Sequence, residues 1–295
     1  MGSPEFAANI LESLHNEAEV VGVFTQPDKP VGRKQELTPP PAAIKAKELN
    51  LPLFQPISFK NSDALEALQS LSPDVIIVAA YGQILPQSAL DVAPCINLHA
   101  SLLPRHRGAS ALQSLLLNGE KYSGVTAIMM TSKLDAGDIL GFVYFKHPES
   151  AKWDCLLKRL SFMGADLILS VINNFASIKP LKQKECLATY APKVSKNDGL
   201  VEFNNADSLY RKFQAYHPWP GVFLDSGLKL FEVSLINNNI NGSAGKIAEI
   251  SKDGAIVECL VGKLFIKEVQ AAGKKRMGIV DYLRGARIGV GAYLA

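Results

Sequence analysis

Asn97 and His99 stand two residues apart in the run Ile96-Asn97-Leu98-His99-Ala100-Ser101-Leu102-Leu103-Pro104, and Asp135 follows in Leu134-Asp135-Ala136-Gly137-Asp138. Positions i and i+2 of a strand point to the same side, so a carboxamide and an imidazole face one pocket. With a carboxylate in reach, such a set can polarise a carbonyl oxygen, move a proton and hold the imidazole in one tautomer. Those are the requirements of acyl transfer to an amine. Each residue also has a bland reading: a strand-end histidine satisfied by its neighbours, an asparagine bonded to turn backbone, an aspartate of an ordinary turn.

The elements that must position these residues alternate. Strands are expected at Val20–Phe24, Leu51–Phe54, Asp74–Ala80, Ile96–His99, Val125–Met130 and Ile139–Phe145, with helices at Pro41–Leu49, Asp63–Leu71, Ser110–Leu117 and Trp153–Phe175. The nearly all-apolar run from Asp74 to Ala80 suits a parallel strand covered on both faces. The alternation predicts an α/β fold with a doubly wound, mostly parallel sheet. In such sheets ligands bind at the carboxyl ends of the strands. Tyr81-Gly82, the Asn97/His99 pair and the Asp135 loop all fall at such ends.

Around Lys179-Pro180-Leu181-Lys182-Gln183-Lys184-Glu185 the pattern gives way to a polar stretch that reads as a linker. Beyond it come a helix at Ser208–Tyr216 and five short strands punctuated by Gly, Asn and Asp, the pattern of a small oligonucleotide-binding (OB-like) β-barrel. The expected division is a catalytic domain over 1–178, a linker over 179–192 and a C-terminal domain over 193–295. Residues 190–295 hold 14 Lys+Arg against 10 Asp+Glu, whereas residues 1–189 hold 17 against 18, which gives weak support for a polyanionic partner of the C-terminal part.

Composition excludes other classes. No apolar run approaches the roughly 20 residues that span a bilayer, so no membrane association and a cytoplasmic protein are expected. Cys95, Cys155, Cys186 and Cys259 are far apart, with no C-x-x-C pair, so neither a metal site nor a disulfide framework is expected, and the thiols should be reduced and mostly buried. Phosphate-cradling glycine motifs are missing, which argues against a nucleotide cofactor. Ser101 beside His99 raises a Ser-His-Asp hydrolase, but no G-x-S-x-G elbow surrounds it.

Asn97-Leu98-His99-Ala100-Ser101-Leu102-Leu103-Pro104 with Arg107-Gly108, and Leu134-Asp135-Ala136-Gly137-Asp138, resembles the signature of formyltransferases that use 10-formyltetrahydrofolate. The resemblance extends through Phe24-Thr25-Gln26-Pro27-Asp28 with Gly32-Arg33, Tyr81-Gly82-Gln83-Ile84-Leu85, His217-Pro218-Trp219-Pro220 and Gly273-Lys274-Lys275-Arg276-Met277. The central motif also fits family members acting on glycinamide ribonucleotide or sugar nucleotides. The Thr25 to Arg33 loop and the C-terminal half narrow the implied acceptor to methionine esterified to initiator tRNA.

The resemblance implies that Asn97 donates to the formyl oxygen, that His99 relays the amine proton, and that Asp135 fixes the His99 tautomer and raises its basicity. It implies 10-formyltetrahydrofolate as formyl donor, no metal, and a monomer. The folate would be held by Tyr81, Ile84, Leu85, Ser101, Leu102, Leu103, Pro104 and Asp138, and the tRNA by Arg33, Lys34, Lys193, Lys274 and Lys275. Three features depart from the family pattern: no strand precedes Gly2-Ser3-Pro4, Ala111 replaces a usual proline, and His106 stands where tryptophan is common. A sheet lacking that strand would expose neighbouring edges and impair turnover, which leaves a folate- or RNA-binding homologue as the alternative.

Overall fold

A computed structural model describes the chain except for residues 33, 34, 61 and 295 and the side chains of 237, 238 and 240. It forms two compact units, one of Met1–Leu112, Lys121–His147 and Cys155–Pro192, the other of Gln113–Glu120, Pro148–Asp154 and Lys193–Ala295. The stretch read as a linker belongs to the first unit, and two short segments ahead of it belong to the second.

Along the chain the first eight strands are β1 (Val23–Phe24), β2 (Lys29–Val31), β3 (Glu36–Thr38), β4 (Leu53–Phe54), β5 (Ile76–Val78), β6 (Cys95–His99), β7 (Tyr122–Met129) and β8 (Ile139–Lys146). Helices α1 (Glu5–Glu17), α2 (Pro41–Glu48), α3 (Ser62–Ser70), α4 (Gln87–Leu90), α5 (Ala111–Leu117) and α6 (Trp153–Asn174) are interspersed. Phe6, Ala7, Ile10 and Leu11 give α1 a buried stripe, and Leu156, Leu160, Gly164, Ile168 and Val171 repeat at helical spacing along α6. Proline at the first position of α2 costs no hydrogen bond there.

The sheet that carries the motif runs β5-β6-β7-β8. Its expected parallel character is corrected: β5 and β6 are parallel, but β7 pairs antiparallel with both β6 and β8. Residues 130–138 between β7 and β8 hold no helix, and a connection without a crossover can join only antiparallel neighbours. Strands β1 and β4 form a separate parallel pair, and β2 and β3 a solvent-exposed hairpin. Gly2 ties β1 to the β5 strand, donating its N–H to the Phe24 carbonyl and bridging in parallel to Ala79. Behind it an apolar cavity of about 150 Å³ is lined by residues of α1, β1 and β5 including Ile10, Leu14, Val23 and Ile77, and by Val21 ahead of β1.

One face of the β6–β8 region is covered by α6 and α1: a side chain at Gly164 would meet Val125, Ile10 and Leu98, and one at Gly141 would meet Leu167 and Val171. The opposite face carries Asn97 and His99.

The second unit is built on one antiparallel sheet of β9 (Val222–Phe223), β10 (Lys229–Asn241), β11 (Ile247–Ile250), β12 (Ala255–Glu258), β13 (Val261–Gln270) and β14 (Met277–Gly278), with α7 (Ala206–Ala215) and α8 (Ile279–Ala286). Strand order is β11-β12-β13-β10-β9, with β14 on β13, and among the described residues β11 does not pair with β9 to close a barrel. Asn205 caps α7 by accepting from the Ser208 N–H.

All four cysteines are free, but only Cys95 and Cys259 are buried, so the expectation of mostly buried thiols holds for half of them. Burial pushes these two up to about 11 and about 12, which keeps them as thiols. Among the described residues no helix is long and apolar enough to cross a membrane.

Candidate active site

Strand β6 ends at His99; Leu98 lies beside Gly164 of α6, and the alternation of the strand turns Asn97 and His99 to the other face. Asp135 arrives from the loop after β7. Its backbone is left-handed, with φ 47°, a conformation few non-glycine residues adopt. Its Oδ1 accepts from Asn97 Nδ2 at 3.3 Å, and its Oδ2 accepts from the Gly108 N–H at 2.8 Å and lies 3.6 Å from His99 Nδ1. The three predicted residues therefore converge. The His99 and Asp135 side chains are 9% and 12% exposed, so a proton gained by His99 would face Asp135 with little screening.

The tautomer of His99 is set elsewhere than expected. Its Nε2 lies 2.8 Å from the carbonyl oxygen of His106, which can only accept, so Nε2 carries the proton. The neutral ring then presents the lone pair of Nδ1 toward Asp135. Asp135 is placed to stabilise the imidazolium, and the tautomer belongs to the His106 carbonyl. His106 itself is buried with φ 60°.

Two glycines make this geometry possible. At Gly137 a Cβ would lie 1.6 Å from the Met129 carbonyl oxygen, so only hydrogen fits where the Asp135 loop turns back on β7. Gly108 has φ 115° and would meet the Ala191 carbonyl at 2.6 Å, which lets its N–H reach Asp135.

Gln183, from the stretch read as a linker, closes the arrangement. Its Nε2 donates to the carbonyls of Asp135 at 2.8 Å and Gly137 at 2.7 Å, and its Oε1 accepts from Arg107 Nε and Nη2 at 3.1 and 2.9 Å. The Arg107 guanidinium, 2% exposed, also makes a bidentate pair with Glu185 at 3.0 and 2.9 Å. This pairing holds the Glu185 carboxyl below the usual carboxylate range. Backbone bonds of Leu181 with Ile139 and of Ala191 with Arg107 complete a strap across the loops. No local pattern marks Gln183, because its partners are backbone carbonyls far away in sequence.

The other predicted residues divide. Ser101 is fully buried; its N–H donates to the His99 carbonyl at 2.9 Å and its hydroxyl to the Arg105 carbonyl at 2.8 Å, so the hydroxyl is turned away from the His99 ring and the hydrolase alternative loses its nucleophile. Thr126 ties down the same run, donating to the Ser101 carbonyl and accepting from the Leu103 N–H. Leu103 is buried with Ile128 and Ile139, the Pro104 carbonyl accepts from the Thr189 N–H, and Leu102 covers Gly124. Tyr81 and Leu85 belong to a buried core with Phe24 and Phe59. The Tyr81 hydroxyl is buried with no hydrogen-bond partner among the described residues, and burial pushes the phenol up. Ile84 is 94% exposed on the loop after β5. Asp138 is half-buried and its carbonyl accepts from the Met129 N–H. Lys193, Lys274 and Lys275 are exposed on the second unit, and Arg33 and Lys34 lie outside the described residues.

Asn97 and His99 on one sheet face, with Asp135 brought in by the loop after β7, offer the donor, base and carboxylate that acyl transfer to an amine needs. A model of the formyl transferase family matches residues 1–172, and one of the formyl transferase C-terminal domain matches residues 193–287. The chain belongs to the formyl transferase family. Among family members it is 47% identical over 293 residues to a methionyl-tRNA formyltransferase of a Nitratiruptor species, covering 99% of this chain and 97% of that one. It is 45% identical over 299 residues to a methionyl-tRNA formyltransferase of Helicobacter pylori, covering 100% and 98%. Solved structures share the fold at lower identity. WlaRD, a sugar 3N-formyl transferase, aligns with TM-score 0.66 at 19% identity over 93% of this chain and 97% of that one. HypX from Aquifex aeolicus in complex with tetrahydrofolic acid aligns with TM-score 0.62 at 20% identity over 83% of this chain and 44% of that longer one.

Proposed function

We propose that the chain transfers the formyl group of 10-formyltetrahydrofolate to the α-amino group of methionine esterified to initiator tRNA, giving formylmethionyl-tRNA for translation initiation. The observation that carries this reading is the convergence of Asn97, His99 and Asp135 in a chain whose near full-length relatives, at 45% and 47% identity, bear that activity in their names.

An α-amine has an ordinary pKa of about 7.7 to 8.0, so at neutral pH much of it must shed a proton before attack. His99 Nδ1, the nitrogen left free by the His106 carbonyl, takes that proton, and Asp135 stabilises the imidazolium from 3.6 Å. Asn97 has two amide protons. One is directed at Asp135, and the other serves the formyl oxygen as negative charge builds there, a contribution of about 2.7 to 4 kcal/mol for one donor. His99 then returns its proton to the departing folate nitrogen. No covalent acyl-enzyme is needed when donor and amine are held together.

Apolar side chains on the loops suit a flat pteridine: Ile84 and Leu134 are 94% and 64% exposed, and a ring laid on them would remove apolar surface from water. The second unit is read as an OB-like tRNA-binding domain, with Lys193, Lys274 and Lys275 on phosphates; Arg33 and Lys34, from the N-terminal part of the chain, are assigned to the acceptor end of the tRNA. The setting is the cytoplasm and the active form a monomer. The test is to incubate the purified chain with 10-formyltetrahydrofolate and methionyl initiator tRNA. Formylmethionine is expected; product only with an amino-sugar nucleotide or glycinamide ribonucleotide would replace this acceptor by another.

A further inference from the structure

Residues directly opposite one another across a sheet share a face. His99 lies opposite Thr126 and Thr126 opposite Phe142; in the next rows Gly124 lies opposite Tyr144, and Tyr122 opposite Lys146. Phe142, Tyr144, Tyr122 and Lys146 therefore continue the sheet face that carries Asn97 and His99, with Leu102 filling the space over Gly124 between them. Their alternate neighbours on β8 turn to α6, yet Phe142, Tyr144 and Tyr122 remain 55%, 57% and 48% exposed.

The three rings form one run. Phe142 and Tyr144 have centroids 6.3 Å apart, and Tyr144 and Tyr122 are edge-on at 6.0 Å. Contiguous exposed aromatics are uncommon on a surface without a binding role. Lys146 on the same face and Lys121 next to Tyr122 are exposed at the outer end of the run. Aromatic faces with cations at one end are the chemistry that holds unpaired nucleotides: bases stack on the rings and phosphates meet the ammonium groups.

We propose that Phe142, Tyr144 and Tyr122 are a stacking platform for the unpaired 3′-terminal nucleotides of the tRNA acceptor. The proposal rests on the reading of the acceptor given above, and it deepens it. The amino acid that meets His99 is esterified to the terminal ribose, so the preceding bases must leave the site along a surface next to it. Two strand spacings of about 4.8 Å separate β6 from β8, which puts the first ring within about 10 Å of His99 across the sheet, the reach of one or two nucleotides. The occupant is RNA in preference to a second copy of the chain because the patch continues the reactive face and ends in cations.

The experiment compares the full chain with Phe142→Ala/Tyr144→Ala and with Tyr144→Phe, in formylation kinetics and in titration with a short single-stranded RNA ending in CCA. Removing both rings is expected to raise KM for methionyl-tRNA by about 10²-fold, ten-fold per base stacked, with kcat and the KM for formyl donor unchanged. Tyr144→Phe keeps the ring and the wild-type KM. An unchanged tRNA KM in the folded double variant overturns the proposal, as does a dimer in sedimentation that the double variant abolishes with no change in KM. If the wild type formylates no methionyl-tRNA, the function fails instead. The platform is then judged by the RNA titration, where binding lost in the double variant supports it and equal binding overturns it.

Discussion

The Nε2 of His99 and the carbonyl oxygen of His106 lie 2.8 Å apart, and this contact decides which nitrogen of the neutral imidazole is left without a proton. A carbonyl can only accept, so the lone pair of the neutral ring is on Nδ1, 3.6 Å from Asp135, and on the proposed function it is this nitrogen that takes the amine proton. The histidine thus has a backbone partner that fixes its proton and a carboxylate that waits for its charge.

Asp135→Asn removes the anion while leaving an oxygen to accept from the Gly108 N–H. The expected outcome is a kcat lower by about 10²- to 10⁴-fold with little change in Tm, since general acid–base support is lost and the fold is not. Steady-state formylation and a thermal melt check both halves. A variant with near-normal kcat would remove Asp135 from the chemistry.

Gln183→Ala withdraws the donor that fixes the Asp135 and Gly137 carbonyls and strips two bonds from a buried guanidinium. Activity should drop by up to about 10²-fold through misplacement of the Asp135 loop, and stability by about 1 to 3 kcal/mol. Because Gln183 acts through Asp135, Gln183→Ala added to Asp135→Asn should cost almost no further kcat. Full additivity in that cycle would separate the two residues.

Glu185 supplies a pH test of the same strap. Its folded pKa is depressed below the ordinary 4.5 by the Arg107 hydrogen bonds, so its contribution is complete above that value and is lost as pH falls through the folded pKa. Glu185→Gln should therefore show a shallower loss of Tm than wild type as pH is lowered below about 4.5. Parallel slopes for the two proteins would show that the pair contributes nothing.

Gly137→Ala places a methyl where the Met129 carbonyl oxygen stands 1.6 Å away. A loss of about 3 kcal/mol in chemical denaturation is expected, together with activity, because the Asp135 loop must move to admit the Cβ.

Much of this was legible before any coordinates. The period of two on β6 put Asn97 and His99 on one face, and the Leu134 to Asp138 motif brought in Asp135. Three features were not. Gln183 bonds to backbone carbonyls 46 and 48 residues away, which leaves no local trace, and it sits in a polar stretch with the look of a connector. The partner of His99 Nε2 is a carbonyl, which every residue possesses. The nearly apolar run Ile139 to Phe145 resembles a strand buried on both sides, and only the order β5-β6-β7-β8 reveals it as an edge with exposed rings. Tyr81 and Leu85 pack in a buried core, a place the sequence does not distinguish from a ligand wall, since an apolar side chain at a strand end fits either.

The central claim is that His99 carries the proton in formyl transfer to methionyl-tRNA. Formylation by His99→Ala, measured beside wild type at saturating formyl donor, tests it most directly. The account predicts formylmethionyl-tRNA from the wild type and a kcat lower by about 10²- to 10⁴-fold in the variant, with KM for methionyl-tRNA unchanged. A His99→Ala variant that keeps wild-type kcat would contradict it.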